Sequence, residues 1–145
     1  VTGMSSSVRF LDSNVLVYAV VKPKKNVDER LAKIKERARE ILRRIDRGEE
    51  RVVTTVVHVS EIANVIESLA NLTKAIEVVE SVLNSESVTV LDVTKEDYIE
   101  ATLVARERGV SVNDALAYVV MMRLGIREIY TFDERHFTSL GVKIV

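Results

Sequence analysis

The sequence predicts an α/β fold, a three-layer α/β/α sandwich with a mainly parallel central sheet. Short runs of aliphatic and β-branched residues alternate with longer stretches whose apolar residues recur every three or four positions. Strand followed by helix, repeated along a chain, implies parallel strands with helices laid over both faces. The 145 residues, 47% hydrophobic and 30% charged, suit one domain with a sizeable core, and no repeat, low-complexity tract or linker divides them.

Residues 1–7 carry no charged region followed by an apolar one, so no signal peptide is expected. They read as a disordered segment or a remnant ahead of the native chain, with Met4 a candidate start and a single domain over 8–145. Val8-Arg9-Phe10-Leu11 predicts the first strand; Asp12-Ser13-Asn14 interrupts it with turn- and cap-forming residues, and a short helix over 14–20 follows. The only proline, Pro23, marks a loop over 22–26. From 28 to 47, Leu31, Ile34, Ala38, Ile41, Leu42 and Ile45 recur at helical spacing, and Gly48 supplies a stop.

A strand over 51–54 comes next, and Thr54 or Thr55 caps a helix that carries Val59, Ile62, Ala63, Ile66 and Leu69 on one side. Another helix is expected over about 73–83, then a strand over 88–93. Thr94 with Asp97 resembles a capping box opening a helix that Gly109 ends. Asn113 is expected to cap a helix through Arg123, with Gly125 just beyond it, and strands over 128–131 and 142–145 close the chain.

Composition narrows the chemistry. Cysteine is absent, which removes disulfides, zinc–thiolate sites, iron–sulfur clusters and cysteine nucleophiles. No apolar run approaches the roughly 18 residues of a membrane helix, so no membrane role is expected and the cytoplasm is the expected compartment. None of the five glycines builds a phosphate-cradling loop. The net charge of −1 hides an asymmetry: residues 22–51 hold 12 of the 21 Lys and Arg but only 7 of the 22 acids. Such a basic segment beside an acidic body can steer a polyanion, although a solvated helix face is the plainer explanation. Glutamine is absent while Lys, Arg and Glu abound, a weak mark of a thermophilic source.

In open parallel sheets ligands gather at the carboxyl ends of the strands. Asp12 follows the first strand, Asp133 follows the strand at 128–131, Asp114 starts a helix, and Glu61 lies early in the helix after the second strand. Singly, each has a structural explanation as a cap, a helix-dipole partner or a surface residue. Together they differ, because two carboxylates about 4 Å apart repel by about 4 kcal/mol at an effective dielectric near 20. A cluster of four needs protons or a cation. Oxygen ligands suit Mg2+ or Mn2+, which pair with phosphate oxygens, so the natural substrate is a phosphodiester cleaved by a metal-activated water.

Leu11-Asp12-Ser13-Asn14, Ser60-Glu61-Ile62-Ala63-Asn64, Asn113-Asp114-Ala115-Leu116-Ala117 and Thr131-Phe132-Asp133-Glu134-Arg135-His136-Phe137 resemble the successive motifs of PIN domains. The likeness runs from about residue 8 to 145 and is strongest to the small prokaryotic toxins of the VapC type. It implies a metal-dependent endoribonuclease, the toxin of a toxin–antitoxin pair, with RNA as substrate, an antitoxin protein as partner and a homodimer as assembly. By that resemblance Asp12, Glu61, Asp114 and Asp133 form the catalytic site. Asp12 and Asp114 ligate Mg2+ or Mn2+, Glu61 holds the metal through water or orients the attacking water, and Asp133 serves a second metal or the outer shell. Asn14 and Thr131 match supporting polar positions.

His58, one turn before Glu61, and His136, three residues after Asp133, are less typical and are left out of the metal set, since a lone histidine is more often packed or superficial. Lys33, Arg37, Arg43, Arg44 and Arg47 on the basic helix are candidates for RNA backbone contact or for an acidic antitoxin segment. A phosphoaspartyl enzyme of the haloacid-dehalogenase type needs an acid where Asn14 stands, and no acidic pair precedes Asp12 as a receiver domain would require. A catalytically silent PIN-like binding module is the remaining alternative. It becomes the better reading if the carboxylates lie more than about 8 Å apart, where one cation cannot be shared.

Overall fold

The computed structural model describes residues 8–23 and 27–145. Residues 1–7, expected to precede the domain, and residues 24–26 of the expected 22–26 loop lie outside the described residues. The chain runs β1 (Arg9–Leu11), α1 (Ser13–Val20), α2 (Glu29–Asp46), β2 (Val52–Thr55), α3 (Val56–Leu69), α4 (Leu72–Asn84), β3 (Val88–Leu91), α5 (Lys95–Arg108), α6 (Val112–Leu124), β4 (Glu128–Tyr130), α7 (Glu134–Leu140) and β5 (Lys143–Ile144). All adjacent strands pair in parallel, in the order β3-β2-β1-β4-β5.

Alternation along the strands divides the core in two, because successive side chains point to opposite faces. Leu11, Val52 and Tyr130 pack with Val15, Ile41, Ile62, Ile66 and Val78 from α1 to α4. Phe10, Val53 and Ile129 pack with Ala101, Leu116, Met121 and Phe137 from α5 to α7. The three expected layers follow from this split. Full burial of a side chain such as Ile62 or Ile66 contributes roughly 1.5–3 kcal/mol.

Local chemistry sets the helix ends. Asp28 accepts from the Leu31 N–H at 2.7 Å, Thr94 and Asp97 close a reciprocal capping box, and Gly109 ends α5 at a φ of 68°. Lys35 on α2 is buried, yet its ammonium donates to the carbonyls of Tyr18 (2.7 Å) and Val21, acceptors left open where α1 stops. Two expectations shift. The cap of α6 is Ser111, whose hydroxyl accepts from the Asp114 N–H at 3.2 Å, so Asp114 stands at the third helical position and Asn113 is inside the helix. Between the strands expected over 128–131 and 142–145, where the sequence predicts no helix, lies α7, opened by Asp133 and stopped by Gly141.

The strand order matters most for the site. The chain adds β2 and β3 on one side of β1 and β4 and β5 on the other, so the succession reverses between β1 and β4. A crevice opens outside the carboxyl ends of strands at such a reversal. The Asp12 N–H extends the pairing there by donating to the Tyr130 carbonyl at 3.0 Å.

Candidate active site

Asp12 leaves β1 as the cap of α1 and is buried. Its Oδ1 accepts from the Ser13 N–H at 2.8 Å and its Oδ2 from the Thr131 hydroxyl at 2.7 Å. Thr131 Oγ1 in turn accepts from the Asp133 N–H at 3.0 Å and from Asn14 Nδ2 at 3.3 Å. Asn14 completes the link by accepting from the Phe132 N–H at 3.2 Å. The exits of β1 and β4 are therefore laced together by two short polar side chains. Burial pushes the Asp12 carboxyl up; the hydrogen bonds from Thr131 and Ser13 oppose that, and the charge of Asp133 adds to it.

Glu61 comes from the second turn of α3, where its Oε1 accepts from the Ser13 hydroxyl at 2.7 Å. The start of α3 is tied to the start of α6 by His58, which is wholly buried. The Asn113 carbonyl can only accept, so His58 Nε2, 3.1 Å away, carries the proton and Nδ1 accepts from the Thr55 hydroxyl at 2.7 Å. Burial holds this imidazole down to about 4 against the opposing influence of Glu61 and Asn113. Its ring meets Phe10 edge-on at 5.1 Å. Neutral His58 thus packs within the core while holding the backbone next to Asp114.

Asp114, Asp133 and His136 converge from α6 and the start of α7, each offering a ligand atom, all within 4.8 Å of one another. His136 Nδ1 lies 2.6 Å from Asp114 Oδ2 and 3.1 Å from Asp133 Oδ2. Burial first, then the contact with Asp133, pushes the Asp114 carboxyl up to about 7; His136 opposes this, and the charges of Asp12 and Asp133 add to it. Among the described residues no lysine or arginine forms an ion pair with Asp12, Glu61, Asp114 or Asp133. Two carboxylates and an imidazole facing one another, with no lysine or arginine among the described residues paired to them, fit a divalent cation.

A PIN domain model matches residues 9–143. This chain belongs to the PIN domain family. Solved PIN-like structures share its fold: VapC20 of Mycobacterium tuberculosis, described as a sarcin–ricin loop cleaving toxin, superposes with a TM-score of 0.68 at 21% identity, covering 92% of this chain and 95% of that one. VapBC-1 of nontypeable Haemophilus influenzae gives 0.59 at 17% identity, covering 95% and 96%. FitAcB of Neisseria gonorrhoeae gives 0.57 at 18%, covering 94% and 95%. No curated protein matches the sequence.

Within this PIN domain, Asp12, Asn14, Thr131 and Asp133 are joined by the hydrogen bonds between β1 and β4, Glu61 reaches that group through Ser13, and Asp114 meets Asp133 from the side of α6. Asp12 is outside the three-residue cluster, whereas His136, left out of the metal set on sequence grounds, is inside it. Ser13, which bonds both Asp12 and Glu61, is a further polar residue of this group that the sequence does not single out. Its signal was its place between Asp12 and Asn14, which reads equally well as a helix start. For His136 the signal was the three-residue spacing from Asp133, recognisable only once α7 is known to be a helix.

An open cleft of about 1040 Å3 adjoins the site, lined by Arg30, Lys33 and Arg135 together with the acids Glu29, Asp133 and Glu134 and by Ile34, Phe132 and Thr138. Of the basic residues singled out on α2, Lys33 lines it, 3.8 Å from Glu29. Arg44 instead bonds the Tyr130 hydroxyl at 3.0 Å, Arg37 stands 3.5 Å from Glu40, and Arg47 stands 3.8 Å from Glu49. The described helices include none long and apolar enough to cross a membrane.

Proposed function

We propose that this PIN domain is an endoribonuclease dependent on Mg2+ or Mn2+, hydrolysing RNA phosphodiester bonds as the toxin of a toxin–antitoxin pair. The observation that carries the reading is the convergence of Asp114, Asp133 and His136 beside buried Asp12, at the sheet's reversal point, with no lysine or arginine among the described residues paired to the carboxylates. A bound divalent cation supplies positive charge that activates water and offsets the charge growing on the phosphoryl oxygens.

The protein's own groups do the rest. Asp12, Asp114 and Asp133 would hold the cation, and Thr131 and Ser13 keep the Asp12 carboxylate in one orientation. Glu61, steadied by Ser13, orients the attacking water and accepts its proton. Water adds at phosphorus as one ester P–O bond breaks, and the leaving oxygen takes a proton from solvent, so one RNA end keeps the phosphate and the other a hydroxyl. Arg30, Lys33 and Arg135 in the cleft beside Asp133 suit the phosphate backbone, giving affinity and salt dependence without sequence choice.

An antitoxin protein is the partner this reading carries, a homodimer the assembly and the cytoplasm the compartment. Self-association has a surface to use. Val59, Ile62, Ile66, Ala75, Val78 and Val82 face the core, but Leu69, Leu72, Ile76 and Leu83 are exposed along the outer side of α3 and α4.

Cleavage of a mixed RNA pool with Mg2+ or Mn2+, against EDTA and an Asp114→Asn variant, tests the activity. Metal-dependent cleavage lost in the variant is expected. Equal cleavage by both proteins would remove the site assignment. Folded protein that neither cuts RNA nor binds Mn2+ would leave the silent binding module.

A further inference from the structure

We infer that His136 is itself a metal ligand through Nδ1, and that it biases this site towards Mn2+ over Mg2+. The inference rests on the metal-dependent reading above and adds a ligand and a preference to it.

The geometry begins with the cap of α7. Asp133 Oδ1 accepts from the His136 N–H at 3.4 Å, and this bond between positions three apart turns Oδ2 towards the imidazole on the same side of the first turn. Asp114 approaches the same nitrogen from α6. Two donors about 2.1 Å from a cation and at right angles to each other stand about 3 Å apart. The separations from Nδ1 to the two carboxylate oxygens, 2.6 and 3.1 Å, bracket that value. The three side chains keep 12%, 33% and 27% of their surface for Asp114, Asp133 and His136, so an ion and its waters can reach them.

His58 offers no competing nitrogen. It is wholly buried, and both of its ring nitrogens are engaged, by Thr55 and by the Asn113 backbone.

Preference follows from donor type. Mg2+ takes oxygen donors and keeps several waters, whereas an imidazole nitrogen is better matched to first-row transition metals. Exchanging one oxygen position for nitrogen therefore costs Mg2+ more than Mn2+. An all-carboxylate cluster has no such bias.

Pulsed electron paramagnetic resonance of Mn2+ bound to the full chain tests ligation without any turnover. Modulation from a directly bonded 14N nucleus is expected in the wild-type protein, altered by 15N-histidine labelling, lost in His136→Ala and retained in His58→Gln. Titration calorimetry with MnCl2 and MgCl2 tests preference: the Mn2+ to Mg2+ affinity ratio should fall at least about 10-fold in His136→Asp. Mn2+ bound by the wild type with no nitrogen coupling overturns the ligand assignment and leaves the metal-dependent reading intact. An unchanged ratio in folded His136→Asp overturns the preference. Failure of the wild type to bind millimolar Mn2+ overturns both readings. Should the variants not fold, the labelled wild-type spectrum alone decides ligation.

Discussion

Thr131 donates its hydroxyl proton to Asp12 at 2.7 Å across 119 positions of sequence, joining the exit of β4 to the exit of β1. Both side chains are buried. Thr131→Val keeps the shape and removes the donor, leaving a buried carboxylate oxygen short of one bond. Unfolding in urea should show a loss of about 1–3 kcal/mol, and Mn2+ affinity should fall because the Asp12 carboxylate is freer to turn. A variant as stable as the wild type would show that the bond holds nothing in place.

Asp114 is pushed up to about 7 by burial and by neighbouring carboxylates. Its raised value in the folded state means that folding favours the protonated form, so its cost is absent below the unfolded carboxyl range and grows as pH rises towards 7. Asp114→Asn should stabilise the metal-free protein at pH 8 by roughly 1–3 kcal/mol while abolishing metal binding. Thermal unfolding in EDTA checks the first effect and calorimetry the second.

His58 titrates in the opposite sense. Held down to about 4 when folded, against 6.5 in the unfolded chain, it favours folding fully above pH 6.5. That contribution fades as pH falls from 6.5 to 4 and amounts to about 3 kcal/mol at most. Subtracting the stability curve of His58→Gln from that of the wild type should expose a slope confined to this window. A flat difference would contradict the buried neutral imidazole.

Divalent cations should stabilise the fold by mass action. Mn2+ at 100 times its dissociation constant contributes about 2.7 kcal/mol, or a rise of about 5–10 °C in Tm for a domain of this size. EDTA should reverse it, and Asp114→Asn should show none of it. A wild-type Tm indifferent to Mn2+ would count against the site as a cation holder.

Much of the fold was legible because its signals are short. The spacing of Leu31, Ile34, Ala38, Ile41 and Ile45 foretold α2, and Thr94 with Asp97 foretold the opening of α5. The misses were also local. Ser111 and Asn113 are both good caps two residues apart, and Ser111 takes the position because its hydroxyl meets the Asp114 N–H. At α7 the seven residues Glu134–Leu140 are too few for apolar periodicity to register. At the site, four acids stood out by their places after strands or in the first turns of helices. Ser13 and His136 did not, since a serine in a cap and a histidine near a loop are ordinary where nothing shows what they face.

By itself, then, the sequence determined the alternation of elements, the parallel class of the sheet and the candidate carboxylates, all of which depend on residues within a turn or a pleat of one another. Tertiary structure alone decided that β1 lies beside β4, that Thr131 meets Asp12, that His58 reaches the Asn113 carbonyl, and that His136 faces Asp114. Those pairings depend on strand order and on how helices seat against the sheet. Both are settled by burial of the whole core, in which no single short segment carries the answer.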